Sequence, residues 1–205
     1  MDDNQKRKPG RPKGGAGSTQ THILRAAAYL FMEQGYEKVS LEGVAQSCGV
    51  TKASVYYYFD NKSVLFTESL LFVLRSAYDH TEKIINGEGT LQERLTVVAS
   101  RHMSNAHLEF ETMMREAAEG LSAEQIARIR DSERAIHELL AGVFRKAMEA
   151  GEITRGDELL CAHLFTAMLS VKNRKEIVNV HKSAEQAAEE IVKLLMTGLV
   201  PRTTS

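Results

Sequence analysis

The segment SLEGVAQSCGVTKASVYYYF, residues 40–59, has the signals of two helices of about two turns each, separated by a glycine turn. Ser40 is placed to cap a helix over 41–48, Gly49 breaks it, and Thr51 caps a second helix that runs to about Tyr58. Two short helices about such a turn match the DNA-binding helix-turn-helix, whose second helix enters the major groove. Val44, Ala45, Val50, Val55 and Phe59 supply apolar faces that would lock the helices at one angle. Lys52, Ala53 and Ser54 occupy the first turn of the second helix, the end that points at base edges. A lysine donates to guanine acceptors, a small alanine permits close approach, and serine bonds either a base or a phosphate. Tyr56, Tyr57 and Tyr58 cannot all be buried, because successive helical residues step by about 100°. At least one phenol is therefore expected to face the phosphate backbone.

The flanks extend the helical pattern. Ile23, Ala27, Leu30 and Phe31 share one face of a preceding helix, capped at Ser18 or Thr19 and ended by Gly35. Asn61 caps a long helix running to about Asn86, just before Gly87. Thr90 with Glu93, Ser122 with Gln125, and Ser183 with Gln186 have capping-box spacing, and Asp157 can cap one more helix. Helices are expected over about 91–105, 107–119, 123–150, 158–178 and 184–199. The chain reads as all-α, with about nine helices and no proline inside any of them.

With these neighbours, the segment resembles the TetR family of bacterial regulators. The resemblance lies in Gly35-Tyr36, Val39-Ser40-Leu41, Val44-Ala45, Gly49-Val50, the run from Thr51 to Phe59, Asn61-Lys62 and Leu65. It implies base contacts from Lys52, Ala53, Ser54 and Tyr56, and phosphate contacts from Ser40, Thr51, Tyr57, Tyr58 and Lys62. Two positions depart from it. Tyr58 stands where the family often has His, and Glu42 stands where some members place a basic residue that touches DNA. Glu42 favours the helix dipole but repels phosphate, so it is not expected to contact DNA. The resemblance further implies a homodimer formed through the last two helices, an operator of double-stranded DNA, and a small-molecule effector that releases a repressor from it.

Composition is consistent with this reading. Residues 1–62 carry nine Lys and Arg against six Asp and Glu, whereas the remainder is acidic. The basic end is thus the one suited to a polyanion. No apolar run approaches the roughly 20 residues of a membrane span, and no signal peptide is apparent, so a cytoplasmic protein without membrane contact is expected. Cys48 and Cys161 lie far apart within helical patterns, which argues against a disulfide framework or zinc site. Three domains are expected: a flexible arm over 1–17, a helix-turn-helix domain over 18–63, and a dimerisation and ligand-binding domain over 64–205.

Two late helices carry wider apolar faces than one internal contact requires: Leu159, Leu160, Leu164, Phe165 and Met168 on the first, Ile191, Val192, Leu194, Leu195 and Leu199 on the second. Candidate effector-lining residues are Phe72, Tyr78, Met103, His107 and Phe110, with Met113, Met114, Phe144, Met148 and Phe165. A metal sensor is disfavoured, because His102 and His107 are five apart, Cys161 and His163 two apart, and neither spacing shares a helix face. No metal or cofactor is expected. An enzyme on a helical bundle is disfavoured too, since no histidine is preceded at three residues by Glu. His-Glu-x-x-His, Cys-x-x-Cys and a Walker loop are also missing. A ligand-independent architectural DNA binder is the other alternative, and its C-terminal domain would hold no cavity for xenon or fragments.

The arm, from Lys6 to Gly15, resembles the AT-hook around Gly10-Arg11-Pro12. Pro12 holds the backbone extended, Gly10 clears the groove floor, and Arg11 can lie in a narrow A·T minor groove while Lys13 and its neighbours meet the phosphate walls. Deleting residues 1–17 is expected to lower the slope of log affinity against log salt by roughly 3 to 4 units per arm. Arg11→Ala should remove about one unit but most of the preference for A·T flanks. Identical behaviour of Arg11→Ala and Lys13→Ala on A·T and G·C flanks would make the arm an electrostatic tether only.

Overall fold

Apart from the first helix, which begins ahead of the expected caps Ser18 and Thr19, every described helix whose cap is readable in the sequence begins at that cap. In the computed structural model of the chain, which describes residues 16–104, 110–173 and 183–199, nine α-helices carry almost all of the described backbone. They are α1 Ala16–Gln34, α2 Leu41–Ser47, α3 Lys52–Tyr58, α4 Lys62–Ile85, α5 Leu91–Met103, α6 Phe110–Ala117, α7 Ala123–Glu149, α8 Glu158–Leu169 and α9 Ala184–Leu199. Short 3-10 turns, Ala118–Gly120 and Ser170–Asn173, follow α6 and α8, and no strand occurs among the described residues. None of the described helices is long and apolar enough to cross a membrane.

The side chains of Ser40, Thr51, Asn61 and Asp157 each accept a backbone N–H at the start of their helix. Thr90 with Glu93 and Ser122 with Gln125 form reciprocal capping boxes, and Ser183 Oγ accepts the Gln186 N–H at 3.2 Å. α5 and α6 each end two residues before the sequence-based boundary, at Met103 and Ala117, and two further boundaries differ. α1 begins at Ala16, inside the expected arm, because no proline intervenes and adding a turn to a formed helix costs little. α8 stops at Leu169, where the Ser170 hydroxyl bonds the Ala167 carbonyl at 2.7 Å and competes with the helical ladder. Arg11, Lys13 and His107 lie outside the described residues.

Two apolar cores result. The first joins Ile23, Ala27 and Phe31 of α1 to Val44, Ala45, Val55 and Phe59 of the helix-turn-helix, and to Leu65, Phe66 and Leu70 of α4. It does not end near residue 63, since Met113, Met114 and Ala117 of α6 and Ile129 of α7 are buried in it as well. At its centre Phe31, Tyr36 and Phe66 pack ring against ring, with centroids 5.0 Å apart for Phe31–Phe66 and 4.9 Å for Tyr36–Phe66. The second core is made by α5, α7, α8 and α9, with Leu95, Phe144, Ala162, Phe165, Ala188 and Val192 fully buried or nearly so. α4 runs along α7 and so connects the two.

Polar clamps sit on these seams. Arg130 of α7 grips both carboxylate oxygens of Glu111 in α6, at 2.5 and 2.8 Å, and also bonds Glu133. Its guanidinium lies over the Phe110 ring, and it holds the Glu111 carboxyl below the usual carboxylate range. Arg128 bonds Glu68 at 2.9 Å and Gln125 Nε2 donates to Ser63 Oγ at 3.4 Å, tying α7 to α4.

Gly120 lies against Tyr36: a Cβ there would stand 2.6 Å from the phenol oxygen and 2.9 Å from ring carbon Cε1. Tyr36 is only 6% exposed and is held by Phe31 and Phe66, so the ring cannot yield cheaply. Gly120→Ala is therefore expected to lower unfolding stability by about 1 to 3 kcal/mol. An unchanged urea midpoint and slope would refute this contact.

Candidate nucleic-acid interface

Helix α3 is set in place from both ends. Thr51 Oγ1 accepts the Ser54 N–H at 3.1 Å and lies 2.8 Å from Ser54 Oγ, so both side chains take part in the cap. Before it, Gly49 adopts φ +65°, a left-handed turn that lets the Val50 N–H return to the Ala45 carbonyl at 3.0 Å. His22 of α1 donates a ring N–H to the Cys48 carbonyl at 3.2 Å, closing the end of α2 from outside. Val55 and Phe59 are buried, which turns the opposite side of α3 outward.

That outward side carries Lys52, Ala53, Tyr56 and Tyr57, all exposed, with Tyr57 at 80%. Tyr58 is half-buried and meets the Tyr57 ring edge to face, with centroids 5.0 Å apart. Ser40 is exposed but its Oγ already accepts the Gly43 N–H at 3.0 Å, so it caps α2 while facing solvent. Lys62 donates to the Glu37 carbonyl at 3.0 Å and its ammonium lies 4.4 Å from the centre of the Tyr36 ring. Ser40, Glu42, Tyr56 and Lys62 line one open groove, together with Lys38, Asp60 and Asn61. Of the residues expected to meet DNA, Ser40, Tyr56 and Lys62 thus share one groove.

Glu42 was expected to have only a helix-dipole role. Its Oε1 forms an ion pair with Lys52 Nζ and accepts the Tyr56 hydroxyl at 3.3 Å. The Lys52 hydrogen bond holds the Glu42 carboxyl below its ordinary value, and Glu42 in turn raises Lys52. His22 and Glu42 were missed because both act across helix crossings, which no local spacing encodes.

The expected effector-lining residues do not gather in one place. Met103, Phe144, Met148 and Phe165 belong to the C-terminal core. Met113 and Met114 are buried in the N-terminal core, with Phe110 packed against it. Phe72 is partly exposed beneath the Arg25 guanidinium, and Tyr78 is partly exposed as well. His163 stacks on His137 with ring centroids 4.1 Å apart, and burial, then His163, holds His137 below its ordinary value. Among the described residues no three His, Cys, Asp or Glu side chains come together as a metal site.

Comparison with known proteins matches residues 23–68 to the family model of bacterial regulatory proteins, tetR family. The fatty acid metabolism regulator protein of Bacillus subtilis (strain 168) is 23% identical over 183 residues, covering 86% of this chain and 93% of the relative. The HTH-type transcriptional regulator AcrR of Shigella flexneri is 41% identical over 58 residues, 28% of this chain and 27% of the relative. The crystal structure of FadR from Bacillus subtilis in complex with stearoyl-CoA superposes with a TM-score of 0.70 at 21% identity, covering 87% and 98% of the two chains. That likeness extends the shared fold over both cores. The matched segment contains the whole unit from Ser40 to Lys62, so residues 23–68 are a tetR-family segment, carried on a fold shared with FadR.

Proposed function

We propose that the chain is a repressor that binds a palindromic operator as a homodimer and is released by a small-molecule effector. The observation that carries the DNA half is the outward face of α3, where Lys52, Ala53, Tyr56 and Tyr57 stand exposed on a core that anchors the helix rigidly. Lys52, Ala53, Ser54 and Tyr56 would read bases, while Ser40, Thr51, Tyr57, Tyr58 and Lys62 would hold phosphates. One such head covers one half-site. Leu159, Leu160, Leu164 and Leu194 support the dimer, since α8 and α9 leave these large apolar side chains 44–67% exposed. The protein would act in the cytoplasm, where its operator is.

The effector reading rests on the C-terminal core and on the relatives. Met103, Phe144, Met148 and Phe165 make an apolar interior rich in adaptable side chains. The FadR structure that shares this fold holds stearoyl-CoA, so a long-chain acyl thioester is the first class to test. Movement in that core would reach α3 through α4, and through α6, whose Met113 and Met114 are buried against the reading domain.

Selection from random duplexes is expected to return inverted repeats with half-sites about 34–36 Å apart or a multiple of that. Lys52→Ala should relax preference at one base step, whereas Lys62→Ala should weaken all sequences alike. Unpaired single sites, or equal losses for both variants on every sequence, would sink this reading. Separately, stearoyl-CoA titrated into the protein–operator complex should lower operator affinity at least tenfold, a coupling of about 1.4 kcal/mol. No release at saturating thioester would exclude that effector class and leave the DNA reading standing.

A further inference from the structure

The recognition face carries a carboxylate where attraction to DNA would favour a cation. Glu42 sits in the first turn of α2 and Lys52 at the start of α3, with side chains 49% and 61% exposed. Their charged ends meet, and the Tyr56 hydroxyl donates to the same Glu42 oxygen at 3.3 Å. The Tyr56 ring lies beside the lysine, with Nζ 5.4 Å from its centre. An ion pair this exposed contributes little to stability, so stability does not account for it. The carboxylate also weakens attraction to phosphate, so affinity does not account for it either.

The chemistry of the major groove does. A G·C pair presents the O6 and N7 acceptors of guanine beside the N4 amino donor of cytosine. Lysine is suited to the first and glutamate to the second. The Glu42–Lys52 pair presents a donor next to an acceptor on one exposed surface, the complement of that pattern. A guanine facing Glu42 would bring O6 and N7 against the carboxylate and be rejected, which adds discrimination to attraction. Tyr56 holds both groups in place before DNA arrives, so less freedom is lost on binding.

We infer that Glu42 and Lys52 act as one two-headed reader of a single G·C base pair in each half-site, with Glu42 taking the cytosine amino group and Lys52 the guanine acceptors. This rests on α3 being the DNA-reading helix, and it makes Glu42 a specificity-determining residue.

The test uses the full-length chain and its variants Glu42→Ala, Lys52→Ala and the double variant. Each is subjected to selection from random duplexes, then titrated with the selected operator and with that operator carrying A·T at one position at a time. Thermal unfolding confirms that each variant is folded. For the wild type, one G·C position per half-site should be preferred by about 5- to 150-fold. Glu42→Ala and Lys52→Ala should both erode the preference at that same position, and the double variant should erode it little further than either alone, because the two act together. If Glu42→Ala instead tightens binding equally on every sequence with preferences intact, the carboxylate only damps attraction to phosphate and the inference is overturned. Loss of preference at two separate positions overturns the pairing of the residues. A wild-type chain that enriches no sequence overturns the regulator reading itself, a failure seen before any variant is made.

Discussion

The apolar seam where α1, α4, α6 and α7 meet fixes everything that the reading helix can do. Phe31, Tyr36 and Phe66 form its centre, and each is at most 6% exposed. Burying one such ring contributes about 1.5 to 3 kcal/mol, and each well-placed ring pair about 0.5 to 1.5 more. An exposed ion pair contributes about 0 to 1 kcal/mol. The direction in which α3 faces is therefore set by this cluster, with clamps such as Arg128–Glu68 trimming the geometry at its rim. Because α6 contributes Met113 and Met114 to the same seam, the helix-turn-helix and the helices beyond α4 share packing as well as the α4 connection. A close-packed interior of this kind transmits displacement and does not absorb it.

The interface is economical with charge. Between residues 37 and 62, Lys38, Lys52 and Lys62 are balanced by Glu37, Glu42 and Asp60. On the proposed reading, attraction to phosphate would come largely from hydroxyls, helix N-termini and the five cations of the arm. Ser40, Thr51 and Asn61 each cap a helix, and Ser40 and Asn61 line the same groove. A surface that attracts weakly and locates its few charges firmly is suited to discrimination more than to indiscriminate binding.

Much of this was legible in the residues. The all-α class, the caps at Ser40, Thr51, Asn61, Thr90, Ser122, Asp157 and Ser183, and the turn at Gly49 all involve groups within about four residues of one another. Two of the boundaries that moved, at Ala16 and Leu169, are helix ends where propagation and a competing serine hydroxyl decide between nearly equal states. The candidate effector residues illustrate the opposite case. Met113 and Phe144 share an apolar helical pattern, and nothing local distinguishes a side chain buried in the reading domain from one in the second core.

Sequence alone determined most of the helices, the starts marked by side-chain caps from Ser40 onward, the helix-turn-helix and its family resemblance, because backbone capping and helical periodicity are satisfied within a few residues of chain. Only the tertiary structure decided that α6 packs into the reading domain, that Gly120 closes on Tyr36, and that Glu42 pairs with Lys52 and Tyr56. Those contacts depend on the angles at which helices cross. The angles follow from how all the buried side chains fill a common volume, and no short stretch of sequence contains that information.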